Sequence, residues 1–280
     1  MIWVIRLAVV LLASPVGALG LLHVAHAQQG SESFQLFYDV LSPYGIWVDY
    51  QHYGYVWIPT AVPGFRPYGT AGHWVLTDDG WTWDSDYAWG WVPFHYGRWD
   101  LDGVYGWMWV PHATWGPAWV SWRSSPGYFG WAPIRPGIST SIASGRDYRE
   151  QCDRWIFVRD RDIARMDIEH HYVHRSKNAA ILHYSTVVGT TRRDHGRNAT
   201  YLTGPTREEV QWLTNTTVRS VPIKETDRPA RHMSNGRLLT YRPYMQQPMC
   251  GGLIPVPSTV TRLRDVQPAA VRNTSNRRQE

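Results

Sequence analysis

The sequence predicts a mainly β protein: tandem tryptophan-rich β-hairpin repeats form a small β-domain, followed by a smaller mixed region with one short helix and a disordered basic tail. Three observations carry that reading. Residues 44–133 hold 14 of the 17 tryptophans. The stretch also repeats: Tyr44-Gly45-Ile46-Trp47 leads to Tyr55-Val56-Trp57-Ile58-Pro59, and 52 residues later Tyr96-Gly97-Arg98-Trp99 leads to Trp107-Met108-Trp109-Val110-Pro111. Between them lies a half-step copy, Gly72-His73-Trp74 followed by Gly80-Trp81-Thr82-Trp83, so that Trp57, Trp83 and Trp109 are spaced 26 residues apart. A repeat of this kind fixes architecture before anything else.

Residues 1–27 read as a secretory signal peptide. Arg6 precedes an apolar run from Leu7 to about Val24, and Ala25-His26-Ala27 supplies the small-x-small pattern before cleavage. A membrane anchor is the competing reading, but Ser14, Pro15, Gly17 and Gly20 interrupt the run. No later stretch approaches the ~20 apolar residues of a membrane-spanning helix. The mature chain is therefore expected to begin near Gln28, in the periplasm or at the cell surface.

Residues 28–135 form the expected tryptophan-rich β-repeat domain. Its aromatic runs are split by Gly, Asp and Pro, the punctuation of strands and turns. Asp78-Asp79-Gly80 and Asp102-Gly103 suit turns with positive φ. Trp81-Thr82-Trp83, Trp89-Gly90-Trp91 and Trp107-Met108-Trp109 alternate with period two, which places the paired indoles on one face of a strand. Prolines that follow the last tryptophan lack an amide donor and end the strand. Three to five hairpins are expected.

Residues 136–244 form an arginine-rich mixed region. Its first twenty residues read as a Gly/Ser/Arg link, and Trp155 to Val158 reads as a strand, as does Ala179 to Tyr184. Pro205, then Thr206 with Glu209 as a capping box, opens a helix with Val210, Trp212 and Leu213 on its apolar face. Val218–Ile223 and Leu238–Tyr241 look extended. Residues 245–280, rich in Pro, Gln, Arg and Asn, offer little to bury and are expected to be disordered.

The net charge of +5 conceals a split. Residues 28–135 carry nine acidic against four basic side chains, and residues 136–280 carry fourteen against twenty-three. Such asymmetry points to different partners or to mutual attraction between the halves. Cys152 and Cys250 are the only cysteines, and outside the cytoplasm a disulfide between them is the default.

The block Tyr55-Val56-Trp57-Ile58-Pro59 resembles the signature of bacterial exported YXWXP-repeat proteins, a tryptophan-rich family of unknown function. Gly72-His73-Trp74, Tyr87-Ala88-Trp89-Gly90-Trp91, His95-Tyr96-Gly97-Arg98-Trp99 and the run Trp115 to Arg123 share that likeness, which ends at Gly130-Trp131-Ala132-Pro133. The resemblance covers roughly residues 36–135. It implies an envelope location and a β-rich fold, and no activity.

Several residue sets could carry chemistry. Indoles offer flat apolar area to the C–H face of a sugar, and adjacent carboxylates could accept hydroxyl protons. Trp74, Trp81, Trp89, Trp99 and Trp107, with Asp84 and Asp86, are the candidate ligand-binding residues, although most tryptophans in such a repeat serve as core. So many large rings are difficult to bury completely, and a leftover aromatic patch is expected. The acidic set Asp78, Asp79, Asp84, Asp86, Asp100 and Asp102 could hold a catalytic pair or Ca²⁺, but turn chemistry explains most of it. His170-His171-Tyr172-Val173-His174 lacks the His-Glu-x-x-His order of zinc proteases. No nucleophile motif, catalytic residue, metal site or cofactor is expected.

The function expected from these features is that of a non-catalytic cell-envelope protein, a scaffold or adhesion module. Its partner would be envelope glycan or an anionic membrane surface rather than nucleic acid. A periplasmic glycan-processing enzyme using Asp carboxylates, or a purely structural envelope domain, are the alternatives.

Overall fold

The computed structural model describes residues 34–60, 62–229, 233–245 and 255–276; the expected signal peptide and Cys250 lie outside them. The chain enters through a helix, α1 (residues 34–41), and then forms four antiparallel hairpins. These are β1 (Gly45–Tyr50) with β2 (Gly54–Pro59), β3 (Gly72–Thr77) with β4 (Gly80–Ser85), β5 (Arg98–Asp102) with β6 (Gly106–Val110), and β7 (Val120–Ser125) with β8 (Tyr128–Pro133). The protein is mainly β, as the repeat predicts.

Each hairpin centres on one directly opposed tryptophan pair: Trp47 with Trp57, Trp74 with Trp83, Trp99 with Trp109, and Trp122 with Trp131. The two 16-residue blocks then join. Trp57 of β2 opposes Trp109 of β6, giving a sheet of order β1-β2-β6-β5 with four indoles in one row. All four are buried. Their rings lean past the neighbouring strand, so that Trp47 meets Trp109 at 6.2 Å between centroids and Trp57 meets Trp99 at 6.3 Å.

The glycine of each Gly-x-Trp has a physical cause. A Cβ on Gly45 would stand 2.5 Å from the Trp57 indole nitrogen, and one on Gly72 would stand 2.8 Å from the Trp83 ring. The cross-strand indole lies flat over the glycine backbone, a close approach that a side chain forbids. In the fourth hairpin Val120 occupies that place.

The second half of the chain completes the first. β9 (Ile156–Arg159) pairs with β8, and β10 (Thr186–Val188) pairs with β7, making a second sheet of order β10-β7-β8-β9. Trp74 packs 4.6 Å from Trp122 and 5.4 Å from Trp131, so the second and fourth hairpins share a core. Ile156, Val158, Ile168, Leu202 and Val210 join the same buried cluster. β11 (Thr191–Asp194) pairs with β12 (Ala199–Leu202), and the Thr203 carbonyl beyond it accepts the Trp81 amide. A small sheet of β13 (Ile223–Thr226), β14 (Met233–Ser234) and β15 (Arg237–Tyr241) follows, with β13 parallel to the central β15.

Three expectations need correction. Residues 89–91, read as an alternating strand, lie in the turns that join β4 to β5, where the Val92 amide donates to the Trp89 carbonyl. Trp89 is buried and Trp91 is only partly so. The expected strand at 179–184 is instead a helix, α3 (Asn178–His183), which follows the single turn of α2 (Thr140–Ala143) in the link region. Asn178 and Ile181, three apart, are its buried residues, and the Asn178 amide nitrogen donates to the carbonyls of Cys152 and Trp155. The third concerns α4 (Arg207–Thr214), which starts as read, with Thr206 accepting the Glu209 amide, but buries only Val210. Trp212 is 82% exposed.

Of the segment expected to be disordered, residues 261–272 lie against the first sheet. Thr261 bridges Val48 in parallel, Val266 covers Val56 and Met108, and α5 (Ala269–Asn276) begins where the Ala269 amide meets the Val104 carbonyl. The first sheet therefore has an indole face and an aliphatic face, both covered.

Tyr68 links the hairpins at their centre. It is fully buried at φ 55°, stacks on Trp74, donates its hydroxyl to the Phe94 carbonyl at 3.0 Å and accepts the Trp119 amide at 3.2 Å. Its own carbonyl accepts the Trp131 indole at 2.7 Å. Tyr68→Phe removes the hydroxyl and leaves both backbone partners buried without it. A loss of about 1–3 kcal/mol is expected in urea unfolding, against about 0.5 kcal/mol or less for Tyr44→Phe at the surface.

Candidate functional site

Most of the sequence candidates are core. Trp74, Trp81, Trp89 and Trp99 are each 5% exposed or less, so none presents a ring face to a ligand. The reason is the cross-strand pairing: Trp74 and Trp99 are each covered by the opposed indole, and Trp81 donates its ring nitrogen to the Pro205 carbonyl at 2.9 Å. Trp107 is half-buried, with the Arg154 guanidinium 5.1 Å above its ring. Asp86 is exposed in the turn after β4. Asp84, in contrast, is buried and lines a cleft.

That cleft, of about 260 Å³, runs between the β4–β5 connection and strand β15. Small-molecule sites span roughly 300–1,000 Å³, so this one has room for a single ring-sized group. Trp83 and Asp84 come from β4, Tyr87, Trp91 and His95 from the turns that follow, and Tyr241 from β15. Trp91 and Tyr241 meet edge to face, 4.8 Å between centroids. Tyr87 stacks on buried Trp89 at 4.3 Å, and burial pushes its hydroxyl up to about 12, with Glu169 and Asp86 adding to the rise.

His95 is the cleft's unusual titratable group. Its Nδ1 lies 3.0 Å from the Gly116 carbonyl, and its ring stacks on Trp115 at 5.5 Å. Burial pushes its pKa down to about 4, with the nearby Arg242 contributing. The ring is neutral at pH 7 and carries its proton on Nδ1, toward the carbonyl. The lining thus combines aromatic walls, one carboxylate, one neutral imidazole and the hydroxyls of Ser85 and Thr240. This set can orient a polar ring by hydrogen bonds and stacking. Glycoside hydrolysis generally uses two carboxylates across the bond, and Asp84 is the single one among the described lining residues.

The remaining candidate carboxylates are engaged elsewhere. Asp100 accepts from Arg154 at 2.9 Å and from the Tyr53 hydroxyl at 2.9 Å. Asp102 accepts the amides of Val104 and Tyr105, which shape its turn. Asp79 pairs with Arg242 at 3.1 Å, and Asp78 accepts from Ser220. His171 lies 3.2 Å from Asp167, and His174 caps a short 3-10 turn through Ser176. Among the described residues no three His, Cys, Asp or Glu side chains are grouped to hold a metal ion. No described helix is long and apolar enough to cross a membrane. Cys152 is exposed; its expected partner, Cys250, is outside the described residues.

Sequence reasoning did not single out Trp91, His95 or Tyr241. Two signals point to them. Asn235-Gly236 is a strong hairpin turn, with φ of 49° and 70°, and with the extended reading of Leu238–Tyr241 it marks Tyr241 as a strand residue outside the repeat. Trp91 stands in Trp89-Gly90-Trp91, a segment with the alternation of a strand but no partner strand.

A profile described as a family of unknown function (DUF6600) matches residues 38–138. No curated protein and no solved structure matches the chain.

The buried neutral histidine makes stability pH-dependent. An unfolded chain takes up the His95 proton below about pH 6.5, whereas the folded one does so only near pH 4. The unfolded state binds more protons in that window. Stability is therefore complete above about pH 6.5 and falls as the pH drops to about 4, by on the order of 3 kcal/mol. Urea unfolding of His95→Gln should show a pH dependence flatter by that amount than the parent; parallel curves would remove His95 as the cause.

Proposed function

We propose that this chain is an exported, non-catalytic envelope protein whose aromatic cleft binds a saccharide unit. The observation that supports the reading is the composition of the cleft. Trp91 and Tyr241 are partly exposed aromatic rings meeting at 4.8 Å beside hydrogen-bonding groups on Asp84, Ser85, His95 and Thr240. A sugar has apolar C–H faces and a hydroxyl rim, and this lining complements both. The small cavity fits one ring of a longer chain passing over the surface.

The exported location rests on the leader-like residues 1–27 and on the likeness to bacterial YXWXP-repeat proteins. The arginine-rich half would hold the protein near anionic envelope surfaces. A purely structural envelope domain is the second reading, favoured by the burial of most indoles.

Co-sedimentation of the chain from Gln28 onward with purified cell-wall glycan separates these readings. Binding should survive high salt, since stacking and hydroxyl contacts are weakly screened. Trp91→Ala and Tyr241→Ala should each weaken it roughly tenfold while Trp107→Ala leaves it unchanged. Glycan binding that is absent, or indifferent to the first two substitutions, would leave the structural reading.

A further inference from the structure

The small C-terminal sheet has two faces of opposite character. Leu238 and Thr240 of β15 are buried toward the body of the protein, and Leu238, Leu239, Thr240 and Tyr241 line the aromatic cleft. On the same side Glu225 of β13 engages Arg197 at 3.0 Å and approaches Arg242 at 3.8 Å. Side chains alternate along a strand, so Lys224, Thr226, Arg237, Leu239 and Tyr241 share the other face, which puts the cleft's Tyr241 on the side of the two cations.

That outer face forms a trough of about 370 Å³ lined by Lys224, Thr226, Ser234, Asn235, Arg237 and Leu239. Register brings the two cations together: Lys224 lies opposite Leu239, and Arg237 precedes Leu239 by two residues on the same face. The two-residue turn Asn235-Gly236 sets Ser234 opposite Arg237. Among the described residues the lining includes no carboxylate, and neither Lys224 nor Arg237 has an acidic partner. Three arginines beside this sheet, Arg192, Arg197 and Arg242, do face acids. Two unpaired cations with hydroxyls and an amide in one concavity present donors to an anion.

We infer that the trough is an anion subsite, and that the saccharide taken by the cleft is an acidic one. Leu239 borders both cavities, so a chain seating a ring against Trp91 and Tyr241 leads across β15 toward Lys224 and Arg237. The shared chemistry is an anionic substituent, a carboxylate or sulfate on a sugar next to the bound ring. The inference rests on the saccharide reading of the cleft.

The test uses the full chain and matched pairs of oligosaccharides. Uronate and sulfated oligosaccharides are each compared with their carboxyl-reduced or desulfated counterparts, by calorimetry at low and high salt. The acidic member should bind roughly tenfold more tightly at low salt, and this advantage should shrink at high salt. In Lys224→Gln/Arg237→Gln the advantage should vanish while the neutral member binds as before. Both side chains are exposed, so the double variant should fold. Neutral and acidic members binding alike to the parent chain, or a double variant that keeps the preference, overturns the anion subsite and leaves the cleft reading standing. Absence of binding by every oligosaccharide overturns both. Vesicles of phosphatidylglycerol that bind the parent and not the double variant, in the absence of any oligosaccharide binding, would reassign the cations to a membrane surface.

Discussion

The cross-strand indole pair is the constraint on which the rest of the fold depends. An indole that must lie over the adjacent strand needs a neighbour without a Cβ, and it needs an opposed ring to exclude water. Gly-x-Trp on one strand and the tryptophan two residues before proline on the next satisfy both needs. Repeating the unit leads to a packing problem of its own, because each hairpin has an indole face too large to leave in water. The first and third hairpins solve it by joining edge to edge through Trp57 and Trp109, and the second and fourth by packing Trp74 against Trp122 and Trp131. A large buried ring contributes about 3–5 kcal/mol relative to alanine, so these few contacts outweigh every surface ion pair in the molecule.

Buried indoles also carry N–H donors, and their acceptors explain why the two halves of the chain form one body. Trp47 and Trp57 donate to carbonyls of α1 and its end, at Tyr38 and Leu41; Trp99 and Trp109 donate to Pro93 and Tyr96 in the turns before β5. Trp81 instead reaches Pro205, beyond β12. An unmet buried donor costs about 1–3 kcal/mol, which ties the C-terminal half to the repeat. Charge follows the same seam. Arg154 meets Asp100, and Arg242 meets Asp79, so part of the acid–base asymmetry is mutual attraction between the halves.

Period-two tryptophans, Asp-Gly turns and the 52-residue repeat were enough to read the hairpins, because strand pairing here is local. Thr206 with Glu209 was enough to read α4, because a cap is a local hydrogen bond. What could not be read depended on distant partners. Ala179 to Tyr184 has strand-like apolar residues, and only the backbone carbonyls at Cys152 and Trp155 make Asn178 a buried helical anchor. The tail at Val266 looks polar until the aliphatic face of the first sheet supplies something to cover. Burial of the candidates Trp74, Trp81, Trp89 and Trp99 was hidden for the same reason. Trp74 and Trp99 carry the repeat most clearly, and the residues that carry a repeat are the ones its packing consumes.

This suggests where function can reside in a protein built of such units. Residues that obey the repeat are fixed by an opposed ring, and in the first and third hairpins also by an indole acceptor and a glycine, and have no surface left to offer. The Trp89-Gly90-Trp91 segment repeats the pattern in sequence, but the chain turns there instead of pairing. Trp89 is absorbed by Trp57 and Tyr87, while Trp91 is left at the rim with no opposed strand. The sheet that supplies Tyr241 comes from outside the repeat and meets Trp91 edge to face. The cleft is thus the place where the repeat departs from its own rule, and its chemistry is set by the residues that the departure exposes.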